Sequence, residues 1–362
     1  MPPEDDFLTE GVLRSSRFSD IYFSIENGLE EARHVFIRGT GLQHRLSGEG
    51  QLIIAETGFG TGLNFLAVIA EVLRQKSRTK IDFISVEGCP PSKQNVAAAL
   101  RAFPELQKIF DEFLKKWPRR WLGVHHMSFL DGQISLHLHY GEAKQVLPTL
   151  DFSADIWFLD GFSPAKNPEI WSSEIIQQIA RLSAHKARLA TFTVAASVRS
   201  SLADAGFTCQ RVAGFGRKRD MLIASYMKGF SLEKQLRPRR VLVIGAGIAG
   251  CARAGGGKTL GIEAKIFDAA RKKKGRGLPG NPAGIVVPFL TVGDMVGMRP
   301  VHLLFADTRA LFDANDPLGL VSSALTMIRG KSSRQKKIAN GVFPLIQPPQ
   351  SADEISVPVA SC

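Results

Sequence analysis

Short apolar runs alternate with helical patterns along the chain from about residue 50 onward. Residues 51–56 (QLIIAE) form a continuous apolar run that is typical of a strand buried on both faces. Residues 64–75 then place apolar side chains at helical spacing. The alternation continues with predicted strands at 81–87, 135–140, 155–160 and 189–193, predicted helices at 93–102, 170–182 and 195–205, and a closing hairpin of 208–213 and 221–227. It predicts an α/β fold with a mostly parallel sheet and helices on both faces.

A second α/β pattern follows a polar segment, LEKQLRPRR, that is typical of a linker. This pattern begins with an apolar run at residue 241 and fades after residue 300, and the end of the chain is rich in Lys, Pro, Ser and Gln. We therefore expect a first domain at 1–230, a linker at 231–240, a second domain at 241–330 and a weakly ordered basic tail at 331–362.

Composition and charge narrow the class of protein only slightly. The chain has 362 residues, of which 44% are hydrophobic and 22% are charged, as in ordinary globular proteins. No apolar run approaches the ~20 residues of a membrane helix, and the acidic start MPPEDDFLTEG does not resemble a signal peptide. We expect a cytoplasmic protein with no membrane span. The formal net charge of +12 lies mostly after residue 228, which fits either RNA binding or a solvated basic tail.

The four cysteines lack the spacing of metal ligands, and no histidine stands beside them at ligand spacing. They predict neither a zinc site nor a disulfide framework. We expect no bound metal.

A glycine loop, ETGFGTGLN, joins the first predicted strand to the first helix. Glycines at this position permit a tight turn and a close approach of the backbone to a ligand, although such a loop also occurs for packing alone. The loop lacks the Lys-Ser/Thr pair of a phosphate-binding loop, and its leading carboxylate would repel phosphate. A cationic ligand such as S-adenosylmethionine fits better. The predicted cofactor-binding residues of this loop are Glu56, Gly58, Gly60, Gly62 and Asn64.

Two further carboxylates follow predicted strands. Glu87 ends the second strand, where a carboxylate can accept hydrogen bonds from both ribose hydroxyls of a nucleoside. Glu142 follows the 135–140 strand, where its side chain could reach the adenine edge. A single carboxylate at such a position is more often a solvated loop residue. Because both carboxylates follow the carboxyl ends of strands, where open α/β sheets bind ligands, they predict a binding site at that edge of the sheet.

The loop DGFSPAKNP leaves the predicted strand at 155–160. It resembles in position the loops of amine-directed methyltransferases. Methyl transfer to an amine requires a neutral nitrogen with its lone pair directed at the methyl carbon, and a carboxylate can orient the amine and accept its proton. Asp160 is the candidate catalytic residue, and Phe162 is a candidate wall for the substrate ring. A rigid turn capped by Asp160 would explain the prolines, but not the apolar Phe162.

Five segments together resemble the methyltransferase half of the bacterial bifunctional tRNA 5-methylaminomethyl-2-thiouridine biosynthesis proteins. They are DIYFSIENGLEEARHVF, ETGFGTGLNFL, IWFLDGFSPAKNPEIW, LATFT and AGFGRKRDML, and the resemblance covers nearly all of residues 10–228. It implies that Asp160 is catalytic and that Asn27 and Glu31 lie near the mouth of the pocket. It also implies a tRNA phosphate contact at Arg217, Lys218 and Arg219. The implied reaction is methylation of an aminomethyl group on the wobble uridine of tRNA.

A second glycine loop, GAGIAG, follows the apolar run at 241–244. Gly245, Gly247, Gly250 and Asp268 have nearly the spacing of a dinucleotide-binding fingerprint. The resemblance implies an FAD-dependent oxidase that removes a carboxymethyl group from the same uridine. Three consecutive glycines in the following helix, a departure from the family's Gly-Ala-Ser-Gly motif and the end of the chain at residue 362 predict a truncated FAD domain that has lost this activity.

Two alternatives remain open at the level of sequence. The chain could methylate a different amine, or it could be a degraded product that only binds RNA. The cluster KKWPRRW at 115–121 is likewise compatible with RNA stacking or with a surface anchored by its tryptophans.

Overall fold

The computed structural model of the protein describes residues 7–9, 12–24, 27–48, 50–216, 218–228, 240–244 and 263–267. The chain divides into two units, Met1–Gln235 and Leu236–Cys362. The strands are β1 Phe7–Thr9, β2 Val12–Ser15, β3 Asp20–Ile21, β4 Gln51–Thr57, β5 Lys80–Glu87, β6 Gly123–Phe129, β7 Ile134–Tyr140, β8 Ala154–Leu159, β9 Ser183–Thr191, β10 Phe207–Ala213, β11 Asp220–Tyr226, β12 Arg240–Ile244 and β13 Glu263–Phe267. The α-helices are α1 Gly28–Ala32, α2 Leu42–Arg45, α3 Leu63–Gln75, α4 Lys93–Leu100, α5 Gln107–Lys116, α6 Ala143–Val146, α7 Ser173–Arg181 and α8 Ala196–Asp204. A π-helix spans Arg33–Arg38, and short 3₁₀ turns span Pro104–Leu106, Leu147–Thr149 and Pro168–Trp171.

An eight-stranded sheet forms the centre of the first unit, with strand order β10-β11-β9-β8-β4-β5-β7-β6. Strands β7, β5, β4, β8 and β9 run parallel. The edge strands β6 and β10 pair antiparallel with their neighbours, as does β11, which lies between β10 and β9. The predicted α/β fold with a mostly parallel sheet is confirmed.

The order in which strands are added to the sheet switches from one side of β4 to the other. From β4 it continues outward through β5 to β7 on one side, and it returns to place β8 on the other side. In open α/β sheets such a switch point leaves a crevice beyond the carboxyl ends of the two central strands. This topology fixes where a ligand site is expected.

Two apolar clusters cover the two faces of the sheet. One joins α3 to the central strands through the rings of Phe65, Phe83 and Phe158, and the other packs Trp157 against α7 and α8. Strand β4 has few exposed positions because helices cover both of its faces, which explains its unbroken apolar run.

Two predicted elements differ from the observed ones by more than two residues or by an interruption. Strand β9 begins at Ser183, six residues before the predicted start. Its pairing with β8 is interrupted by a bulge, because the pairs Ala154–Ser183 and Ile156–Arg188 are two residues apart on β8 but five apart on β9. Lys186 in this bulge has a φ of 63°. The helix predicted at 170–182 is a 3₁₀ turn followed by α7, because Ser172 interrupts it and caps α7.

The segment 115–121 is held by its first tryptophan. Trp117 is 8% exposed and lies against Phe59 and Phe113, with ring centroids 6.1 and 5.4 Å apart. Lys116 forms an ion pair with Glu112 at 2.6 Å. These contacts favour the anchored-surface interpretation of this cluster.

In the second unit, the structure describes one parallel pair, β12 with β13. The predicted cofactor residues Gly245, Gly247, Gly250 and Asp268 lie outside the described residues. Among the helices that the structure describes, none is long and apolar enough to cross a membrane.

Candidate active site

A cavity of about 530 Å³ lies beyond the carboxyl ends of β4, β5 and β8, at the switch point of the sheet. The loops that follow these three strands line it, together with residues from the N-terminal segment. Its volume lies within the range of sites for small molecules and cofactors. The topology therefore brings the separately predicted loops together at one site.

The glycine loop adopts a backbone that side chains rarely tolerate. Gly58, Gly60 and Gly62 have φ values of 82°, 53° and 79°. A Cβ atom on Gly58 would lie 3.0 Å from the carbonyl oxygen of Asp160, and one on Gly62 would lie 2.5 Å from the ring of Phe113. The first two glycines line the cavity, whereas Gly62 shapes the start of α3 behind it. The positive φ favours glycine at all three positions, and at Gly58 and Gly60 this backbone borders the cavity.

A chain of hydrogen bonds joins three predicted site residues. The Nδ2 of Asn64 donates to Oε1 of Glu56 at 2.9 Å and to Oδ2 of Asp160 at 2.7 Å. The hydroxyl of Ser85, on β5, donates to Oε2 of Glu56 at 2.7 Å. Asn64 therefore connects the end of β4 to the end of β8 from the first turn of α3.

Glu56 lies beneath the cavity rather than in its wall. Its side chain is 1% exposed, and it is not among the residues that line the cavity. Removal from water raises the pKa of Glu56 to about 8; the bonds from Ser85 and Asn64 oppose this shift, and the charges of Asp160 and Glu87 add to it. In this arrangement Glu56 reaches the cavity through Asn64, and not through the direct contact that the sequence suggested.

Glu87 is buried, lines the cavity and contacts the glycine loop. Its Oε2 accepts from the backbone N–H of Gly60 at 2.7 Å, and its Oε1 accepts from that of Cys89 at 2.7 Å. A carboxylate is an acceptor-only group, which is the chemistry that a ribose hydroxyl donor requires. The position is compatible with the predicted contact to a ribose.

Asp160 is half-buried at the floor of the cavity. Its Oδ1 accepts from the backbone N–H of Gly161 at 2.9 Å. Burial raises the pKa of Asp160 to about 6; the bonds from Gly161 and Asn64 oppose the shift, Glu31 adds to it and Lys218 lowers it. A carboxylate with this pKa is ionised at neutral pH and is a better proton acceptor than an ordinary aspartate.

The N-terminal segment covers one side of the cavity, which the sequence did not predict. Asp20 accepts from the backbone N–H of Ser163 at 3.1 Å and pairs with Lys166 at 3.0 Å. Although burial alone would raise it, these bonds hold the pKa of Asp20 below its ordinary value. The ring of Tyr22 lies against Gly60. The segment thereby touches both the glycine loop and the loop after β8.

Phe162 belongs to an aromatic group on this side of the cavity. Its ring centroid is 4.9 Å from that of Phe18 and 5.1 Å from that of Tyr22. All three residues line the cavity. The predicted ring wall thus involves three aromatic side chains, of which the sequence had indicated one.

Glu142 lines the cavity near Gly88 and forms an ion pair with Arg17 at 3.2 Å. Arg17 also donates to the sulfur of Cys89 at 2.8 Å. Arg17 thus joins the N-terminal segment to the loops after β5 and β7. Glu142 lies beside the loop of Glu87, as the shared strand-end position had predicted.

The residues predicted at the mouth of the pocket separate into two groups. Glu31 lines the cavity and pairs with Lys218 at 2.7 Å, and the Nζ of Lys218 lies 4.4 Å from the centre of the Phe192 ring. Asn27 instead caps α1 by accepting from the N–H of Glu30 at 3.0 Å, and it does not line the cavity. Arg219 is exposed outside the cavity lining, and Arg217 lies outside the described residues.

The lining fits a cationic nucleoside cofactor better than a phosphate. Three carboxylates, Glu87, Glu142 and Asp160, line the same cavity as the glycine loop. Among the described residues, no group of three or more His, Cys, Asp or Glu side chains could hold a metal ion. The glycine loop, Glu87 and Glu142, which the sequence predicts as cofactor-binding residues, all border this one cavity.

Comparisons with known proteins show what this chain is similar to. Residues 104–227 match the family described as S-adenosyl-L-methionine-dependent methyltransferase. The tRNA 5-methylaminomethyl-2-thiouridine biosynthesis bifunctional protein MnmC of Azoarcus sp. strain BH72 is 39% identical over 295 residues, which cover 81% of this chain and 46% of that protein. The protein of the same name from Pseudomonas savastanoi pv. phaseolicola is 36% identical over 365 residues, which cover 94% of this chain and 54% of that protein. A crystal structure of MNMC2 from Aquifex aeolicus has 22% sequence identity and a TM-score of 0.49, covering 60% of this chain and 68% of that one.

The first unit is an S-adenosyl-L-methionine-dependent methyltransferase domain, as its sheet topology, its glycine loop and the family match together define. Most of the chain is similar to the tRNA 5-methylaminomethyl-2-thiouridine biosynthesis bifunctional proteins. It spans about half the length of these curated relatives. The predicted resemblance and the predicted cofactor class are confirmed.

Proposed function

We propose that the first unit methylates the aminomethyl group of 5-aminomethyluridine, with or without a 2-thio group, at the wobble position of tRNA. The observation that carries this proposal is the position of Asp160, whose carboxylate lines the cavity directly beside the glycine loop. The names of the curated relatives support the tRNA substrate. A tRNA substrate also favours a cytoplasmic location.

S-adenosylmethionine, when bound, supplies an activated methyl group for in-line transfer to a nitrogen. Asp160 has two roles in this proposal: it orients the substrate amine, and it accepts the proton that the nitrogen must lose. Each of its oxygens accepts one hydrogen bond from the protein, so acceptor positions remain for the amine. Its raised pKa brings it nearer to that of the amine, which favours proton acceptance.

The substrate base and its phosphates have separate candidate contacts. The aromatic group of Phe18, Tyr22 and Phe162 offers faces on which a uracil ring can stack. Lys218 and Arg219 lie on the β10–β11 turn, where we propose a phosphate contact together with Arg217. Asn27 keeps a proposed place near the mouth through its cap on α1, and Glu31 through its pair with Lys218.

The second unit carries a separate proposal. We infer from the GAGIAG fingerprint that it is related to an FAD domain. From the three consecutive glycines that follow the fingerprint and the departure from the family's Gly-Ala-Ser-Gly motif, we propose that the oxidase activity associated with this family is lost. The domain bounds of 1–230, 231–240, 241–330 and 331–362 are proposed with it. Flavin absorbance of the purified protein tests this directly, since a stoichiometric flavin would contradict the proposed loss.

The decisive experiment measures transfer of labelled methyl from S-adenosylmethionine to tRNA that carries 5-aminomethyluridine. A parallel reaction uses the 5-carboxymethylaminomethyl form, and unmodified tRNA is the control. Label on the first tRNA alone supports the methyltransferase and the loss of the oxidase. Label on both means that the carboxymethyl group is also removed. Label on neither refutes the proposed substrate and favours a different amine or a non-catalytic RNA-binding role.

A further inference from the structure

Glu56 is a buried carboxyl group that does not line the cavity. Two hydrogen bonds through Asn64 nevertheless connect it to Asp160, the candidate base. Glu56 is 1% exposed, and both of its oxygens are occupied, one by Ser85 and one by Asn64. The same Nδ2 of Asn64 also reaches Asp160. The placement therefore suits a role exerted on another side chain rather than on a ligand.

The direction of the Asn64 amide determines what Asp160 can do. In the observed direction, both hydrogens of Nδ2 are used, one on each carboxyl group. If the amide turned over, its carbonyl oxygen would face the ionised carboxylate of Asp160, and the hydrogen bond to Asp160 would be lost. Asp160 alone would disfavour this state, but Glu56 adds a second acceptor that is immobilised by burial and by Ser85.

We propose that Glu56 is a positioning residue for Asp160 and acts by fixing the donor direction of Asn64. The catalytic part of this inference rests on the proposed function, whereas the positioning itself does not. Asn64 then holds one oxygen of Asp160 in place, and the remaining acceptor positions face the cavity. The carboxyl group at the end of β4 thus serves the loop at the end of β8.

Loss of the Asn64 contact would change the titration of Asp160 as well as its position. The bond from Asn64 lowers the pKa of Asp160 against the effect of burial. Glu56 is largely protonated near pH 6 because its own pKa is about 8. Removing Glu56 near that pH therefore removes little charge, and the lost Asn64 bond should move the pKa of Asp160 upward from about 6.

The test uses the full chain with Glu56→Leu, Glu56→Gln and Ser85→Ala. Leucine is apolar and cannot accept from Asn64, whereas glutamine can accept from Asn64 and donate to Ser85. Ser85→Ala is a milder change that removes one of the two bonds of Glu56. The matched control is Asp82→Asn, which alters a carboxyl group that is 8% exposed on β5 but lies outside the cavity lining.

Three quantities are measured: kcat with tRNA that carries 5-aminomethyluridine, the Kd of S-adenosylmethionine, and the titration of the Asp160 carboxyl carbon by ¹³C NMR. The Asp160 signal is assigned by its loss in Asp160→Asn. For Glu56→Leu we expect kcat to fall about 10- to 100-fold, because the base remains but is less well positioned, so only part of its contribution is lost. The cofactor Kd should stay near the wild-type value, and the titration of Asp160 should move to higher pH.

The variants together decide between positioning and a merely structural role. Glu56→Gln should recover most of the lost kcat, Ser85→Ala should move kcat and the titration in the same direction by less, and Asp82→Asn should resemble the wild type. The proposal is overturned if Glu56→Leu and Ser85→Ala leave the Asp160 titration unchanged, or if cofactor affinity falls as much as kcat. If the wild type shows no methyl transfer, the proposed function fails, and the titration alone decides the positioning.

Discussion

Replacing Glu56 by glutamine would remove one buried acidic group while keeping the shape and the hydrogen bonds of the side chain. The substituted amide can accept from Asn64 with its oxygen and donate to the oxygen of Ser85 with its nitrogen. The comparison with the wild type therefore isolates the free energy of ionising a group at this position.

The size of the effect follows from the shift of the pKa. An ordinary value of 4.5 rises to about 8 in the folded protein, and each pKa unit corresponds to about 1.4 kcal/mol. Because the folded-state pKa is raised, the wild type loses stability as pH rises from 4.5 to 8, whereas the neutral variant does not. The variant should gain about 2 kcal/mol at pH 6. Above pH 8 the full shift corresponds to about 5 kcal/mol, which local relaxation can reduce to about 2–5 kcal/mol.

Urea unfolding followed by tryptophan fluorescence measures this difference in the full chain. All four tryptophans lie in the first unit, so the signal reports the unfolding of that unit alone. Unfolding free energies of wild type and Glu56→Gln are compared from pH 5 to pH 9. Titrations common to both proteins cancel in the difference.

The shape of the pH dependence is the critical result. We expect the difference in unfolding free energy to be below about 1 kcal/mol at pH 5 and to rise toward a plateau above pH 8. A difference that is constant with pH would show that Glu56 does not titrate across this range. A variant that is less stable than the wild type at pH 8 would refute the burial argument altogether.

Three further predictions concern the site and the sheet edge. Asp160→Asn should lower kcat about 10²- to 10⁴-fold with little change in the Kd of S-adenosylmethionine. In the wild type, kcat/KM should rise with pH through about 6, where Asp160 ionises. Unchanged turnover in Asp160→Asn would exclude Asp160 as the base. Gly60→Ala should weaken cofactor binding about tenfold in calorimetry, because φ is 53° and Tyr22 lies 3.1 Å from the added Cβ; the control Gly48→Ala meets no atom within 4 Å, and equal affinities of the two variants would contradict the strain argument. Burial and neighbouring histidines lower the pKa of His139 to about 4, so its stabilising contribution is complete above pH 6.5 and declines below it. His139→Asn should therefore reduce the decrease in unfolding free energy at acidic pH by about 1–2 kcal/mol, as measured by urea unfolding. An identical decrease in the variant and the wild type would contradict this assignment.

Sequence patterns located the central strands well because those strands are covered on both faces. The predicted starts and ends of β4, β5, β7 and β8 lie within one residue of the observed ones. The start of β9 was missed because its first half, SAHKAR, is polar and contains a bulge. A regular period cannot reveal a strand whose pairing is interrupted. Helix α5, in contrast, carries Ile109, Phe110 and Phe113 at helical spacing, and that signal was available.

The candidate site was only partly predictable, for two physical reasons. Asp20 meets Ser163 across 143 residues, and no local pattern encodes a contact at that separation. Glu56 was expected to touch the ligand because it precedes the glycine loop. When neighbouring residues of a strand are all buried, as at the end of β4, alternation no longer shows which side a residue faces. The placement of Glu56 beneath the cavity therefore required the structure.

The acidic groups of the site also suggest how cofactor and base are coupled. Glu56 and Asp160 share the amide of Asn64, and the charges of Asp160 and Glu87 raise the pKa of Glu56. A sulfonium and an ammonium group bound in the same cavity would favour ionised carboxylates through the reverse effect. Under the proposed function, cofactor binding therefore lowers the pKa of Asp160 and increases its ionised fraction before the amine arrives. By linkage, the affinity for S-adenosylmethionine should rise with pH in the range where Asp160 titrates, by about two- to threefold at most. Asp160→Asn should lack this dependence and lose no more affinity than that.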